Sequence, residues 1–277
     1  MNIRLIAFDL DGTTLNSSNE ISPGNRAALE KAYRMGKILV PCTGRALNHL
    51  SDALTRLLNE LGFDAFPYII TANGAQAYYL PRRELIITHN IDEKTALELL
   101  AECRSCDGQV YASFGHEGCT DSKGLAWETG TMPRMVEEYS EKWYIPITDA
   151  EPLIKWKGGV LKLTVNFPSA EAAAKHHWDL SRWPAVSTVS GADGSLEFVK
   201  AGISKAHTLG FVAERAGVKM ENIMAIGDHF NDLEMIEAVG FGVAMGNAIP
   251  QLKEKADWIT LSNDEDGLAV AISKIIQ

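Results

Sequence analysis

The sequence is poor in cysteine: 4 in 277 residues is too few, at this length, to suggest a disulfide framework. No run approaches the roughly 18 uncharged apolar residues of a membrane span. The opening MNIRLIAFDLDG holds one Arg and a short apolar run that Asp9 and Asp11 interrupt, so no secretory signal is predicted and a cytoplasmic protein is expected. Positive charge is scarce as well, with 26 Lys and Arg against 36 Asp and Glu, a net charge of −10. Proteins held on nucleic acid or on anionic membranes need excess positive charge, so neither partner is expected. A small anionic substrate needs only a local positive pocket and stays compatible. Also missing are internal repeats, low-complexity tracts and a GxxxxGK[ST] phosphate loop, since Gly36-Lys37 is followed by Ile38. Gly240, Gly242 and Gly246 miss the dinucleotide-binding spacing by one residue.

What is present is a globular composition, 46% apolar and 22% charged, with enough apolar material for a proper core. At about 150 residues per domain the length predicts just under two domains. Short apolar runs, LIAF (5–8), ILVP (38–41), YIIT (68–71), IMAIG (223–227), FGVAM (241–245) and WIT (258–260), recur between amphipathic segments. They read as strands buried on both faces of a parallel sheet. Helices are predicted after Ser22-Pro23, over 46–61, 204–216, 231–238 and 266–276, giving a doubly wound α/β fold. Between 84 and 199 the pattern changes to ELIITH, QVYASF, GVLKLTV, AVSTV and LEFV with helices at 92–105 and 169–182. Five of the six tryptophans, Trp127, Trp143, Trp156, Trp178 and Trp183, lie there. The expected division is therefore a parallel-sheet, Rossmann-like core from 1–83 and 200–277, with an α+β domain inserted at 84–199.

Ligands of open α/β sheets bind beyond the carboxyl ends of the strands. After LIAF comes Asp9-Leu10-Asp11-Gly12-Thr13; after ILVP, Cys42-Thr43-Gly44-Arg45; after YIIT, Ala72-Asn73-Gly74; after IMAIG, Asp228, Asn231 and Asp232. Carboxylates gathered at one sheet edge repel and raise one another's pKa unless a cation joins them, and an all-oxygen donor set suits Mg²⁺. Lys205, at the start of a helix where it opposes the dipole, breaks a local rule and with that helix terminus makes an anion site. Thr43 and the amides around Gly44 add donors. Carboxylates, a cation and an anion pocket together point to phosphoryl transfer, in which an Asp can be the nucleophile and an Asp two residues on, facing the same way, the proton donor.

These motifs resemble the haloacid dehalogenase superfamily, in particular its Cof-type sugar-phosphatase branch with a large inserted cap. The resemblance rests on Asp9-Leu10-Asp11-Gly12-Thr13, Thr43-Gly44-Arg45, Lys205 and Gly227-Asp228-His229-Phe230-Asn231-Asp232, in order, with support from Asn73-Gly74-Ala75 and residues 244–267. It implies that Asp9 is nucleophile and metal ligand, and that Asp11 is general acid and base with its carbonyl on the metal. It further implies that Thr43, Gly44, Lys205 and Asn231 hold the phosphoryl group, and that Asp228 and Asp232 serve Mg²⁺. The implied partner is a small phosphorylated metabolite and the implied assembly a monomer or homodimer. Ala206 and His229 depart from the usual pattern; a spectator role is expected for His229, and Arg45 is read as a structural residue beginning a helix.

Other readings stay open. A phosphomannomutase-like phosphotransferase would need cap cations, for which Arg134, Lys155, Lys157 and Lys162 are candidates. A catalytically inactive regulatory or binding protein of the same fold is the third. Cys103, Cys106, His116 and Cys119 have zinc-like spacing. The two cysteines are expected to close a helix and His116 to sit in a hairpin turn, so unrelated thiols are the expectation there.

Overall fold

The computed structural model describes residues 2–47, 50–114, 118–120, 150–190 and 194–276. In chain order its strands are β1 (Leu5–Phe8), β2 (Ile38–Pro41), β3 (Tyr68–Thr71), β4 (Gln76–Tyr79), β5 (Glu84–Thr88), β6 (Ile91–Asp92), β7 (Gln109–Ser113) and β8 (Gly118–Thr120). They continue as β9 (Gly159–Val160), β10 (Lys162–Asn166), β11 (Val186–Ser190), β12 (Ser195–Lys200), β13 (Ile223–Gly227), β14 (Phe241–Ala244) and β15 (Trp258–Ile259). Contacts group the chain into two compact units, one of residues 1–45, 50–88 and 203–277, the other of residues 46–49 and 89–202.

The first unit is an α/β fold with a parallel sheet in the order β15-β14-β13-β1-β2. β1 lies inside the sheet: it pairs in parallel with β13, Phe8 beside Ile226, and with β2, Phe8 beside Pro41. The sheet is thus made from both ends of the chain. Leu5, Ile6, Ala7 and Phe8 are wholly buried, as strands covered on both faces must be. Burial of each large apolar side chain contributes about 1.5–3 kcal/mol, which holds the strand in the core. The helix Pro23–Arg34 starts where Ser22 accepts the backbone N–H of Asn25, with proline in its first turn. It packs against the helix Gly267–Ser273, while Lys205–Arg215 packs against Leu233–Ala238.

Three elements differ from the sequence expectation. YIIT touches β2 in parallel at one point, Cys42 beside Ile70, but its regular partner is β4, antiparallel, in a three-stranded sheet β3-β4-β5. Asn73 and Gly74 both hold left-handed backbone and turn the chain straight back. The helix expected from 46 begins at Asp52, where Ser51 accepts from Leu54 N at 3.2 Å. The helix expected over 169–182 stops at Lys175, followed by a short turn at Leu180–Arg182.

The second unit has an antiparallel sheet, β11-β12-β10-β7-β8, and a β6–β9 pair. Helices Glu93–Ser105 and Glu151–Lys157 bury Leu99, Leu100 and Ile154 with Leu163, Val165 and Phe198 of the sheet. Cys106 ends the first of these helices, its thiol donating to the Cys103 carbonyl at 2.9 Å. His116, Trp127, Arg134 and Trp143 lie outside the described residues. Trp156 is exposed, with the Lys157 ammonium 4.5 Å from its ring centre. Among the described residues no helix is long and apolar enough to cross a membrane.

Candidate active site

Parallel pairing of β1 with β13 and β2 puts Asp9, Asp228 and Thr43 beyond the same edge of one sheet. Asp9 N donates to Ile226 O at 3.0 Å and Thr43 N to Ile70 O at 2.9 Å, so both leave their strands on fixed backbone. Asp9 faces Lys205, whose wholly buried ammonium donates to Asp9 Oδ1 at 2.5 Å and Asp232 Oδ1 at 2.7 Å. Lys205 opens its helix just after Ser204, which caps it by accepting from His207 N. The lysine that the helix dipole disfavours is thus held by two carboxylates.

Asp232 is also wholly buried, and both of its oxygens already accept hydrogen bonds. Oδ1 takes Lys205; Oδ2 takes the backbone N–H of Asp228 at 3.0 Å and of His229 at 3.2 Å. The Asp232 backbone N–H donates in return to the His229 carbonyl at 3.0 Å, which closes the turn Phe230–Asp232. Asp228 accepts from Thr13 Oγ1 at 2.7 Å through Oδ1. Thr14 Oγ1 holds the Asp9 carbonyl at 2.6 Å. Gly12 adopts φ +74°, and a Cβ there would collide with the Asp228 carboxylate.

The remaining expected residues meet at Asn73. Its N–H donates to Thr43 O at 3.1 Å, its side-chain oxygen accepts from Asn231 Nδ2 at 3.0 Å, and Gly44 lies against that same oxygen. Asp11 is half-exposed and turned toward Arg45, whose Nε and Nη2 grip its two oxygens at 2.8 and 2.5 Å. Arg45 lies ahead of the helix rather than in it. Its partnership with Asp11, 34 residues away, has no local sequence signal.

The charges do not balance. Burial raises the Asp9 pKa well above the usual carboxylate range; Lys205 opposes this, while Asp232, Asp228 and Asp11 add to it. Burial, then Asp232, pushes Asp228 from 3.8 to about 7, against the Thr13 hydrogen bond and Lys205. Burial works against the Lys205 ammonium, but Asp232 and Asp9 outweigh it and hold its pKa above the ordinary value. One ammonium faces three carboxylates, those of Asp9, Asp228 and Asp232, which offer ligand oxygens all within 4.8 Å of one another. Carboxylate oxygens alone, with negative charge left over, fit a hard divalent cation such as Mg²⁺. Asp9 Oδ2 and Asp228 Oδ2 lie outside these hydrogen bonds and could hold such a cation, while Asp232 is taken up by Lys205 and the Asp228 and His229 backbone.

Comparison with known proteins shows the family. Residues 6–272 match the family model of the haloacid dehalogenase-like hydrolases. The chain belongs to this family. It is 32% identical over 276 residues to the 5-amino-6-(5-phospho-D-ribitylamino)uracil phosphatase YcsE of Bacillus subtilis (strain 168), covering 98% of this chain and 95% of YcsE. It is 31% identical to the phosphatase YwpJ of the same organism, covering 96% and 98% of the two chains. The crystal structure of a haloacid dehalogenase-like hydrolase from Bacteroides thetaiotaomicron superposes with a TM-score of 0.81 at 32% identity, covering 99% of each chain. The chain is thus an enzyme of the phosphatase class with the fold of this family, as its motifs implied.

Proposed function

We propose that this enzyme is a Mg²⁺-dependent phosphatase of small phosphorylated metabolites, sugar phosphates among them, acting in the cytoplasm through an aspartyl-phosphate on Asp9. The observation that carries the reading is the buried Asp9 held by Lys205 beside Asp228 and Asp232. In the first half-reaction an Asp9 oxygen attacks phosphorus, the bond to the leaving oxygen breaks, and Asp11 gives that oxygen its proton. In the second, ionised Asp11 takes a proton from water, the water oxygen attacks phosphorus, and phosphate leaves Asp9 as a free carboxylate. Thr43, the Gly44 amide, Lys205 and Asn231 hold the phosphoryl oxygens throughout. Asp9 and Asp228, with the Asp11 carbonyl, would hold Mg²⁺, which would supply the charge neutralisation that lets carboxylate and phosphate approach. Phosphate-ester hydrolysis is slow enough unaided that positioning and charge must together remove about 20 kcal/mol or more of barrier. In this reading residues 84–199 form the inserted cap, and the choice of leaving group rests with it.

The test is the variant Asp9→Asn, assayed for inorganic phosphate release from a panel of phosphorylated metabolites with and without Mg²⁺. Release of phosphate, rather than its transfer to another hydroxyl of the same sugar, is expected of the wild type. YcsE is named for 5-amino-6-(5-phospho-D-ribitylamino)uracil, and that compound belongs in the panel. Asp9→Asn should lose turnover by several orders of magnitude with an unchanged circular dichroism spectrum; wild-type rates in that variant would overturn the mechanism.

A further inference from the structure

Arg45 enters the site in a way the phosphatase reading does not use. Its guanidinium meets both oxygens of Asp11 side-on, Nε to Oδ2 at 2.8 Å and Nη2 to Oδ1 at 2.5 Å. The backbone that launches it is tied on both sides: Arg45 N donates to Thr43 Oγ1 at 3.1 Å, and Arg45 O accepts from Ala72 N at 2.8 Å. Arg45 is therefore anchored between the ends of β2 and β3, while Asp11 stands on the loop after β1. The Asp11 side chain is 48% exposed and that of Arg45 22%. An ion pair this open to water contributes little to stability, because solvent screens it. What a two-pronged grip does supply is orientation: it fixes the plane and rotamer of a carboxylate that would otherwise turn freely on an exposed loop.

We propose that Arg45 is a positioning residue for Asp11, holding its carboxylate in the orientation from which it exchanges protons with the leaving oxygen and with water. The inference rests on the phosphatase reading and its assignment of Asp11. Each Asp11 oxygen gives one lone pair to the fork and keeps a second that faces away from it. In the first half-reaction the proton on Asp11 passes to the leaving oxygen, and Arg45 meets the carboxylate so formed. In the second the same carboxylate takes a proton from water, so the acid form is regenerated. Nothing is consumed, and Arg45 itself gives up no proton.

The experiment compares kcat/KM, which reports the steps through leaving-group departure, for two kinds of substrate. An alkyl phosphate such as a hexose phosphate has a poor leaving group that needs the proton; p-nitrophenyl phosphate has a good one that hardly does. Arg45→Ala is expected to lower kcat/KM about 100-fold on the alkyl ester, the lower end of what general acid catalysis contributes, and under about 10-fold on the aryl ester. Arg45→Lys should share the loss, since an ammonium cannot grip two oxygens in one plane. In an Asp11→Asn background, Arg45→Ala should add little further. Equal losses on both esters, rescue by lysine, or additive losses would each overturn the proposal and leave Arg45 a structural tie. Arg45→Lys keeps the charge and most of the stem, so it carries the test even if Arg45→Ala folds poorly. Failure of the phosphatase reading itself shows elsewhere, as turnover surviving Asp9→Asn.

Discussion

Lys205 is the residue on which the charge arrangement turns. Alone in the sequence it is one lysine among 26 basic residues; in the fold it is wholly buried between Asp9 and Asp232. A single ammonium leaves the carboxylates partly uncompensated, and this has a pH consequence. Asp228 and Asp9 have folded-state pKa values above those of an unfolded carboxyl, Asp228 at about 7. At these two sites the folded chain therefore holds protons that the unfolded chain has lost between about pH 4 and 7, so their contribution to stability falls as pH rises through that window. Lys205, raised above its ordinary value, works in the same direction only in the alkaline range. Denaturant midpoints of metal-free protein should decline from pH 4.5 to 7.5, and Asp228→Asn should flatten the decline; a midpoint that climbs across the window would contradict the charge balance. That Asp9, Asp228, Asp232 and Lys205 gather at one sheet end was legible, because each comes after a recognisable strand or opens a helix. The grip of Arg45 on Asp11 was not, because it depends on β1 and β2 lying side by side.

At the scale of elements, the turn after β3 does more than a turn usually does. Gly74, at φ +95°, brings its Cα against the Ser204 carbonyl, and its own carbonyl accepts from Thr208 Oγ1 at 2.6 Å. The start of the helix that carries Lys205 is thus seated on a glycine. Gly74→Ala would put a methyl group into the Ser204 backbone in a left-handed conformation. A loss of about 2 kcal/mol or more in stability is expected, read from urea unfolding, together with a fall in kcat as Lys205 is displaced. Full stability would show that the helix start can shift without cost. The parallel strands were legible from uninterrupted apolar runs. YIIT carries the same pattern yet pairs chiefly with β4, since burial on both faces looks alike in either kind of sheet. The start of the second helix at Asp52 was signalled by Ser51, a cap with a side chain that accepts from Leu54 N, but the apolar periodicity further upstream pointed to an earlier start.

Over the whole molecule the chain is acidic, and in the proposed function a cation supplies the positive charge that the site needs. The carboxylates of Asp9, Asp228 and Asp232 all belong to the first unit, so cation binding should stabilise that unit directly. At 100 times its dissociation constant a ligand that binds only the folded state adds about 2.7 kcal/mol. Mg²⁺ should accordingly raise Tm in a concentration-dependent way at pH 7.5, and Asp228→Asn should abolish the shift. An equal shift in that variant would place the cation elsewhere.

Periodicity and strand-end composition in the sequence alone determined the α/β class, the assembly of the sheet from both ends of the chain, and the acidic character of the edge where its strands finish. These are local properties: a strand buried on both faces must be apolar throughout, and the residues just after it must lie at a sheet end. Tertiary structure alone decided which carboxylate faces which cation. Lys205 reaches Asp9 across 196 residues and Arg45 reaches Asp11 across 34, and such pairings exist only once neighbouring strands have fixed both backbones.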